Sequence, residues 1–271
     1  MAESTALRTR GLDHLKKVLN NESIKKNFET ILAENAGAFM SSIIELYQSD
    51  TGLQKCDANA VVLEALKAAT LKLPINKALG FAYIVPYGSV PTFQLGYKGY
   101  IQLAQRSGQY KYINADIVYE GEIVKYDRVT GMLEITGEPK SETAIGYFAY
   151  FQLMNGFEKA VYWTKDHIVK HAKRYSKQYG NKNGSWQTNF DAMALKTVIR
   201  NIISKYGIMS VEFANAIANE SVDDKIEGEF VENANTQEVK LPEVEVELEP
   251  EPEAPPMPEA PQDEFEDDPG F

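Results

Sequence analysis

The stretch Phe93-Gln-Leu-Gly-Tyr-Lys-Gly-Tyr-Ile-Gln-Leu-Ala-Gln-Arg-Ser-Gly108 combines aromatic rings, amides and two cations with three glycines. Its pattern predicts a helix over 97–107, because the apolar and polar residues fall on opposite arcs at about 100° per residue. The polar stripe consists of Lys98, Gln102, Gln105 and Arg106. Since it carries two positive charges and no carboxylate, this stripe suits a row of phosphates better than it suits bulk water.

Outward from this helix, the chain divides into helical and strand-like blocks. Upstream, the sequence predicts helices over 24–34 and 58–71, capped by Ser23 and Asp57, with a helical apolar face at 39–47 between them. Strands are predicted at 80–86, 91–95, 111–120, 122–127, 132–136, 144–153 and 158–163, with turns at 87–90 and 155–156. Further helices are predicted at 164–177, 189–205 and 211–219. This order indicates an α+β fold with a helical N-terminal part, a mostly antiparallel sheet containing an inserted helix, and C-terminal helices.

Charge is distributed unevenly along the chain. Residues 222–271 hold 18 of the 39 acidic residues, eight of the 12 prolines and two lysines, so they carry −16 and leave +5 on residues 1–221 out of the total of −11. A segment of this composition buries too little apolar surface to offset the entropy of ordering. We therefore expect a disordered acidic tail at 222–271, a core domain at 23–221 and an N-terminal arm at 1–22.

Several classes of protein are excluded or disfavoured by what the sequence lacks. Cys56 is the single cysteine, which is compatible with a reducing compartment, and no long apolar run or signal-peptide core is present. These features predict a soluble cytoplasmic protein. None of the 18 glycines is followed by lysine, so a recombinase or helicase driven by a Gly-x-x-x-x-Gly-Lys-Ser/Thr phosphate loop is excluded.

Cations also gather on one face of the helix predicted at 164–177. Four bases fall within about 100° of one another: Lys170, Lys173, Arg174 and Lys177. This density favours a phosphate-binding face over an ordinary lysine-rich surface helix. The following loop, 178–187, carries Lys182 and Trp186. It either closes over a polynucleotide or is a surface loop pinned by one buried tryptophan.

The helix predicted at 189–205 carries a third basic stripe. Lys196 and Arg200 are four residues apart and share a face with Asn189 and Ser204. No acid lies on that stripe, so the repulsion between the two cations is relieved only if an anion binds there. Tyrosines such as Tyr100 either stack on bases or, more commonly, belong to the core.

Metal chemistry has weaker support from the sequence. His167 and His171 have the spacing of a helical metal-binding pair, but no third ligand is indicated, so an exposed pair of histidines is the preferred interpretation. Four acids that a nuclease would use for a metal follow no recognisable spacing: Asp116, Glu120, Glu122 and Asp127. We expect no bound metal and no cofactor.

Five separated blocks resemble the RecT family of phage recombinases. The first is Phe93 to Tyr110, which contains the opening stretch, and the others are Leu73-Pro-Ile-Asn, Ala82-Tyr-Ile-Val-Pro-Tyr, Gly146-Tyr-Phe-Ala-Tyr-Phe and Asp191-Ala-Met-Ala-Leu-Lys-Thr-Val-Ile-Arg. The resemblance covers about 23–210. It implies a curved antiparallel sheet packed on helices, with a basic groove. It also implies an ATP-independent annealing protein that assembles into rings or helical filaments and promotes strand exchange.

The resemblance implies DNA contacts at Gln94, Lys98, Gln102, Arg106, Lys196 and Arg200, and we extend the set by inference to other basic and ring positions. The full predicted DNA-binding set is Gln94, Lys98, Tyr100, Gln102, Gln105, Arg106, Lys111, Lys170, Lys173, Arg174, Lys177, Lys182, Trp186, Lys196, Arg200 and Lys205. We expect the three basic helices to line one groove. The implied partners are single-stranded and annealing duplex DNA, further copies of the chain, a partner exonuclease and a host single-strand-binding protein, with no membrane.

Two other classes of function remain open at this point. A metal-dependent nuclease would act on the same DNA and shorten it, whereas a phage scaffold or regulator would use the basic face to bind protein. The acidic tail is a solubilising segment or an intramolecular competitor for the basic groove. A third alternative is that its end, 263–271, contacts the docking pockets of bacterial single-strand-binding-protein tips, because it resembles those acidic tips that end in Pro-x-Phe.

Overall fold

The computed structural model describes residues 2–176, 179–182 and 184–219, with side chains described from residue 11 to residue 218 of these ranges. The N-terminal part is helical, as the sequence predicts, and consists of α1 (Ala2–Leu19), α2 (Glu22–Leu32), α3 (Ala36–Ser49) and α4 (Ala58–Thr70). Leu15 and Leu19 of α1 are buried in the core, so this helix packs on the segment it precedes.

The caps of these helices follow the sequence in one case and differ in the other. The carboxylate of Asp57 accepts a hydrogen bond from the Ala60 amide at 2.9 Å, which confirms Asp57 as the N-cap of α4. The predicted cap at Ser23 is wrong, because the side chain of Asn21 accepts the hydrogen bond of the Ser23 amide at 3.0 Å and α2 starts two residues earlier than that prediction allows.

A hairpin of β1 (Ala82–Tyr87) and β2 (Val90–Leu95) leads directly into α5 (Tyr97–Arg106), as predicted. Two glycines make this connection possible. A Cβ atom on Gly96 would lie 2.1 Å from the Gly80 carbonyl oxygen, and one on Gly99 would lie 2.1 Å from the Phe81 carbonyl oxygen. Only residues without a side chain allow the start of α5 to pass this close to the segment that precedes β1.

The main sheet is antiparallel and has the order β3-β6-β7, formed by β3 (Tyr110–Tyr119), β6 (Ala144–Leu153) and β7 (Glu158–Thr164). A second hairpin, β4 (Ile123–Tyr126) with β5 (Leu133–Thr136), contacts β7 at the edge of this sheet. Thus the predicted α+β fold with antiparallel strands is confirmed. The strands of the described residues form three separate sheets, however, because β1–β2 and β4–β5 pair only within their own hairpins.

The C-terminal helices are α6 (Lys165–Tyr175), the short α7 (Ser185–Thr188), α8 (Phe190–Tyr206) and α9 (Val211–Asn219). Helix α8 is the centre of the domain, since it packs against the sheet on one side and against α5 on the other. All ten residues from 194 to 203 are buried. A helix enclosed in this way has no solvent-facing stripe over its middle turns.

No helix among the described residues combines the length and apolar character needed to cross a bilayer.

One side-chain pair ties the sheet to α8 and gives a stability prediction. The fully buried Tyr147 donates its hydroxyl to the Asp191 carboxylate at 2.5 Å, and burial together with this hydrogen bond raises the pKa of Tyr147. We expect Tyr147→Phe to lower the free energy of unfolding by about 1 kcal/mol, because the ring packing is kept and the hydrogen bond is lost. Urea denaturation measures this change.

The matched control is Tyr150→Phe on the opposite face of the same strand. Its hydroxyl donates to the exposed Glu158 at 2.7 Å, where water replaces the lost partner, so we expect a loss of less than about 0.5 kcal/mol. Equal losses in the two variants would contradict a special role for the Tyr147 contact.

Candidate nucleic-acid interface

A groove of about 890 Å³ lies between the edge strand β7, α6, the end of α8 and the loop of the β4–β5 hairpin, and we call it the β7–α6 groove. Five cationic side chains line it: Arg128, Lys159, Lys170, Arg174 and Lys205. None of the described residues that line the groove is acidic. Moreover, no ion pair within the described part of the chain involves Arg128, Lys159, Lys170 or Arg174. Cations placed together without carboxylates favour the binding of an anion.

The hairpin loop is placed against β7 by a glycine. The Ala160 amide of β7 donates to the Gly131 carbonyl at 3.1 Å, and the Lys159 amine donates to the Thr130 carbonyl at 2.8 Å. Gly131 has a φ of +76°, and a Cβ atom there would lie 2.6 Å from Cε of Lys159. The glycine therefore lets the lysine stem cross the loop, which brings Arg128 to the groove.

Asp127, next to Arg128 in the hairpin loop, engages the groove cation Lys159 only weakly. The pKa of Asp127 is lowered chiefly by the hydrogen bond from the Thr130 hydroxyl and by the Val129 amide, and Lys159 makes the smallest contribution. The side chain of Asp127 thus accepts hydrogen bonds within its own loop, at 2.7 and 2.9 Å from these two donors. The positive charge of Lys159 stays available to a ligand.

Aromatic side chains accompany the cations. The Trp163 and His167 rings stack with centroids 4.3 Å apart and planes 12° apart, and the rings of His171 and Tyr175 lie 4.7 Å apart. Two cations also lie over rings at the groove, with Lys159 5.3 Å from the Tyr206 centroid and Arg174 5.2 Å from that of Tyr175. Rings between cations are the arrangement that holds bases and phosphates of a single strand together.

The structure brings Lys170, Arg174 and Lys205 of the predicted set into this groove. Sequence reasoning missed Arg128, Lys159 and the ring of Trp163, which come from a hairpin loop and an edge strand. Three other predicted cations are exposed but do not line it: Lys111 on β3, Lys173 on α6 and Lys182 in the loop before α7. Lys111 instead lies 5.4 Å from the centroid of the Tyr112 ring. Lys177 lies outside the described residues.

The polar stripe of α5 has mixed roles. Lys98 is exposed beside Gly80 and Tyr83, and Gln105 is exposed. Arg106 donates from its guanidinium to the carbonyls of Leu71 and Lys72, at 2.7 and 3.0 Å, and so caps the end of α4.

Two further amides of this region, Gln94 and Gln102, are less exposed than Gln105. Gln94 is buried and donates its amide to the Tyr87 hydroxyl. Gln102 is half-buried, with an amide oxygen that has no hydrogen-bond partner among the described residues. This stripe does not line the β7–α6 groove.

Burial corrects two predicted ring contacts. Tyr100 is fully buried, with its ring 5.8 Å from that of Phe213, so no base can stack on it in this conformation. Trp186 is 5% exposed and packs between Tyr179 and Phe190, with centroids at 6.1 and 5.6 Å. The burial of Trp186 supports the alternative of a loop pinned by one buried tryptophan.

Burial also corrects the prediction of a basic stripe on α8. Lys196 and Arg200 are 5% and 8% exposed, and the Arg200 guanidinium donates to the Ile217 carbonyl of α9 at 3.4 Å. Burial raises the pKa of Tyr83, and the nearby charge of Lys196 opposes that rise, which places Lys196 on the β1 side of α8. These two cations are enclosed by protein, so their positions four residues apart do not require a bound anion.

The prediction that the three basic helices line one groove is wrong. Nine residues separate Lys196 from Lys205, which places them about 180° apart around α8. Lys205 and Asn201 face the β7–α6 groove, and Lys196 faces the opposite side. Helix α8 therefore separates the α5 residues from the α6 cations.

The structure offers no metal site among the residues it describes, because no group of three or more His, Cys, Asp or Glu converges there. The four acids considered for a nuclease each accept a hydrogen bond from a nearby amide or hydroxyl. They are Asp116, Glu120, Glu122 and Asp127. His167 and His171 lie against Trp163, with centroids at 4.3 and 5.2 Å.

Comparison with known proteins identifies relatives of this chain. The model of the RecT family matches residues 37–235. The "Uncharacterized protein YqaK" of Bacillus subtilis (strain 168) is 50% identical over 207 residues, which cover 76% of this chain and 72% of that protein. "Protein RecT" of Escherichia coli (strain K12) is 31% identical over 183 residues, which cover 64% of this chain and 65% of that protein.

Proposed function

Because this chain belongs to the RecT family of single-strand annealing recombinases, we propose that it binds single-stranded DNA in the β7–α6 groove and anneals it to a complementary strand. The observation that carries the proposal is the set of five cations, with no acid among the described residues that line the same groove. Phosphates neutralise these cations, and two strands whose phosphates are partly neutralised approach each other more easily.

The rings of the groove give the bases a second contact. A base can stack on Trp163, Tyr175 or Tyr206, at about 1–3 kcal/mol for each stacked base. Such contacts do not depend on sequence, so the strand is held without selecting which bases it carries. Sequence is tested by the complementary strand alone, at about 1.4 kcal/mol per stacked step.

Annealing of this kind requires no ATP and no bond chemistry. Base pairing supplies the free energy, and the chain has no Gly-Lys pair from which to build the usual phosphate loop. We propose that several copies line up on one strand, because a groove of about 890 Å³ holds only a few nucleotides and each copy binds them weakly. Linked binding events then supply the affinity needed for annealing and strand exchange.

The test is an annealing assay with two complementary oligonucleotides that carry a fluorescent donor and acceptor. We expect the protein to accelerate pairing at least about tenfold over the spontaneous rate without any nucleotide, because each strand is concentrated on the protein. Incubation of one labelled strand with Mg²⁺ should leave its length unchanged.

Three outcomes would contradict the proposal. Shortening of the labelled strand would indicate a nuclease, a requirement for ATP would indicate a motor, and failure to bind any oligonucleotide would indicate a protein-binding scaffold or regulator.

A further inference from the structure

The acidic tail contains a run of regularly spaced glutamates. The run Glu243-Val-Glu-Val-Glu-Leu-Glu-Pro-Glu-Pro-Glu253 places glutamate at every second residue, six in all, with Val244, Val246 and Leu248 between the first four. We call residues 243–253 the alternating segment. It lies beyond residues 37–235, which the RecT family model matches, so family membership does not account for it.

The pattern has a simple geometric consequence. In an extended chain, alternate side chains point to the same side and lie about 6.6 to 6.8 Å apart. An extended chain of this sequence would present carboxylates in one row and apolar side chains in the other. The two prolines among the last three glutamates disfavour a helix, which would scatter the charges around its axis. A strip with this pattern resembles a nucleic-acid strand in carrying regularly spaced anions beside apolar groups.

The β7–α6 groove has the complementary composition. Arg128, Lys170 and Arg174 supply cations without ion pairs among the described residues, and Trp163 and Tyr206 supply apolar surface. Carboxylates can occupy the positions that phosphates take, while valine and leucine side chains contact the rings. Charge complementarity and the alternation of the segment therefore point to the same occupant.

The segment is close enough in the chain to reach the groove. Helix α8 ends at Tyr206, whose ring lines the groove, and the described chain continues through α9 to Asn219. The 24 residues from Asn219 to Glu243 span at most about 80 Å when fully extended. A tethered segment within such a distance reaches an effective concentration on the order of millimolar at its site.

We propose that the alternating segment occupies the β7–α6 groove of its own chain and is displaced by single-stranded DNA. This inference rests on the proposed function of the groove. Short or weakly bound polyanions fail to displace the segment, whereas a long strand that contacts several copies succeeds. The acidic tail thus raises the threshold for DNA loading.

The test compares two full-length variants that each lose six negative charges. The first replaces the six glutamates of the alternating segment by glutamine. The matched control is D223N, D224N, E227Q, E229Q, E232Q and E238Q, six acids that stand nearer to the folded domain. With a short fluorescent oligonucleotide at low salt, we expect the first variant to bind about tenfold more tightly than the unmodified chain and the control less than about twofold more tightly.

A peptide of residues 243–253 provides a direct readout. We expect it to change the fluorescence of Trp163 in the six-glutamine variant and to compete with the oligonucleotide. A peptide of the same composition with its glutamates grouped at one end should compete less well. The second tryptophan of the chain, Trp186, is 5% exposed, so it contributes little to the response.

Each contrary result has a defined meaning. Equal tightening in both variants, or no response to the peptide, overturns the docking while oligonucleotide binding stands. If the segment inhibits oligonucleotide binding more strongly at higher protein concentration, docking within one chain is overturned. Such a result places the segment in the groove of a second copy. If no variant binds DNA, the proposed function fails, and the peptide response alone then decides whether the segment docks.

Discussion

Lys170→Glu combined with Arg174→Glu should weaken the binding of a single-stranded oligonucleotide about a hundredfold at low salt. Two of the five groove cations become anions in this variant. The loss of two attractions and the gain of two repulsions, at about 0.7 kcal/mol each near a hydrated surface, amount to about 2.8 kcal/mol. The annealing rate should fall with the affinity, because only bound strands are brought together.

Salt dependence gives a second readout of the same variant. Each lost phosphate contact lowers the slope of log affinity against log salt by about 0.7 for a single strand, so two lost contacts lower it by about 1.4. Fluorescence anisotropy at several salt concentrations measures both the affinity and the slope. A reduced affinity with an unchanged slope would indicate that the variant had lost folded protein rather than phosphate contacts.

Lys173→Glu is the closest control for the charge reversal. Lys173 lies in the last turn of α6 beside Arg174, is exposed, and does not line the groove. Its reversal opposes the helix dipole as much as that of Arg174 does. We expect Lys173→Glu to weaken binding less than about threefold. If it weakens binding as strongly as Arg174→Glu does, the general charge of α6 governs binding and the groove does not.

Arg200→Ala should have the opposite profile, with a large loss of stability and unchanged DNA affinity per folded molecule. Arg200 is 8% exposed and its guanidinium donates to the Ile217 carbonyl, so its removal leaves a part-buried acceptor without this donor and a cavity between α8 and α9. We expect the free energy of unfolding to fall by about 2–3 kcal/mol. Denaturant unfolding measures this loss, and oligonucleotide titration below the unfolding transition measures binding.

Two substitutions complete this comparison. Arg200→Met keeps most of the buried volume and should lose less stability than Arg200→Ala. Arg174→Ala at the groove should lower DNA affinity and leave stability within about 0.5 kcal/mol of the original value. A folded Arg200→Ala protein that no longer binds DNA would restore Arg200 to the DNA-contacting set that the sequence predicts.

Most elements of this fold were predictable because each of them has a local signal. The asparagine-glycine turn at 155–156, the aspartate cap at 57 and the glycine-bounded helix after Leu95 are properties of a few adjacent residues. The error at Ser23 has the same origin, since Asn21 and Ser23 are both good caps and only the geometry distinguishes them.

The groove was only partly predictable because it is built from distant parts of the chain. The spacing of Lys170 and Arg174 predicts that they share a face of α6. Arg128, however, reaches them only because the Gly131 loop pairs with the edge of β7. No local pattern encodes that pairing. On α8 the predicted basic stripe is wrong because the prediction assumed that polar residues of a helix face solvent. Lys196 and Arg200 are instead enclosed by the helices that pack around them.

The most direct test of the account is photo-crosslinking of the full-length protein to a single-stranded oligonucleotide that carries iododeoxyuridine, with the crosslinked residues mapped by mass spectrometry. We expect crosslinks at the rings of the β7–α6 groove, namely Trp163, Tyr175 and Tyr206, and their loss in the Lys170→Glu, Arg174→Glu variant. Crosslinks confined to the α5 side of the domain, at Tyr83 or Tyr97, would contradict the assignment of DNA to this groove.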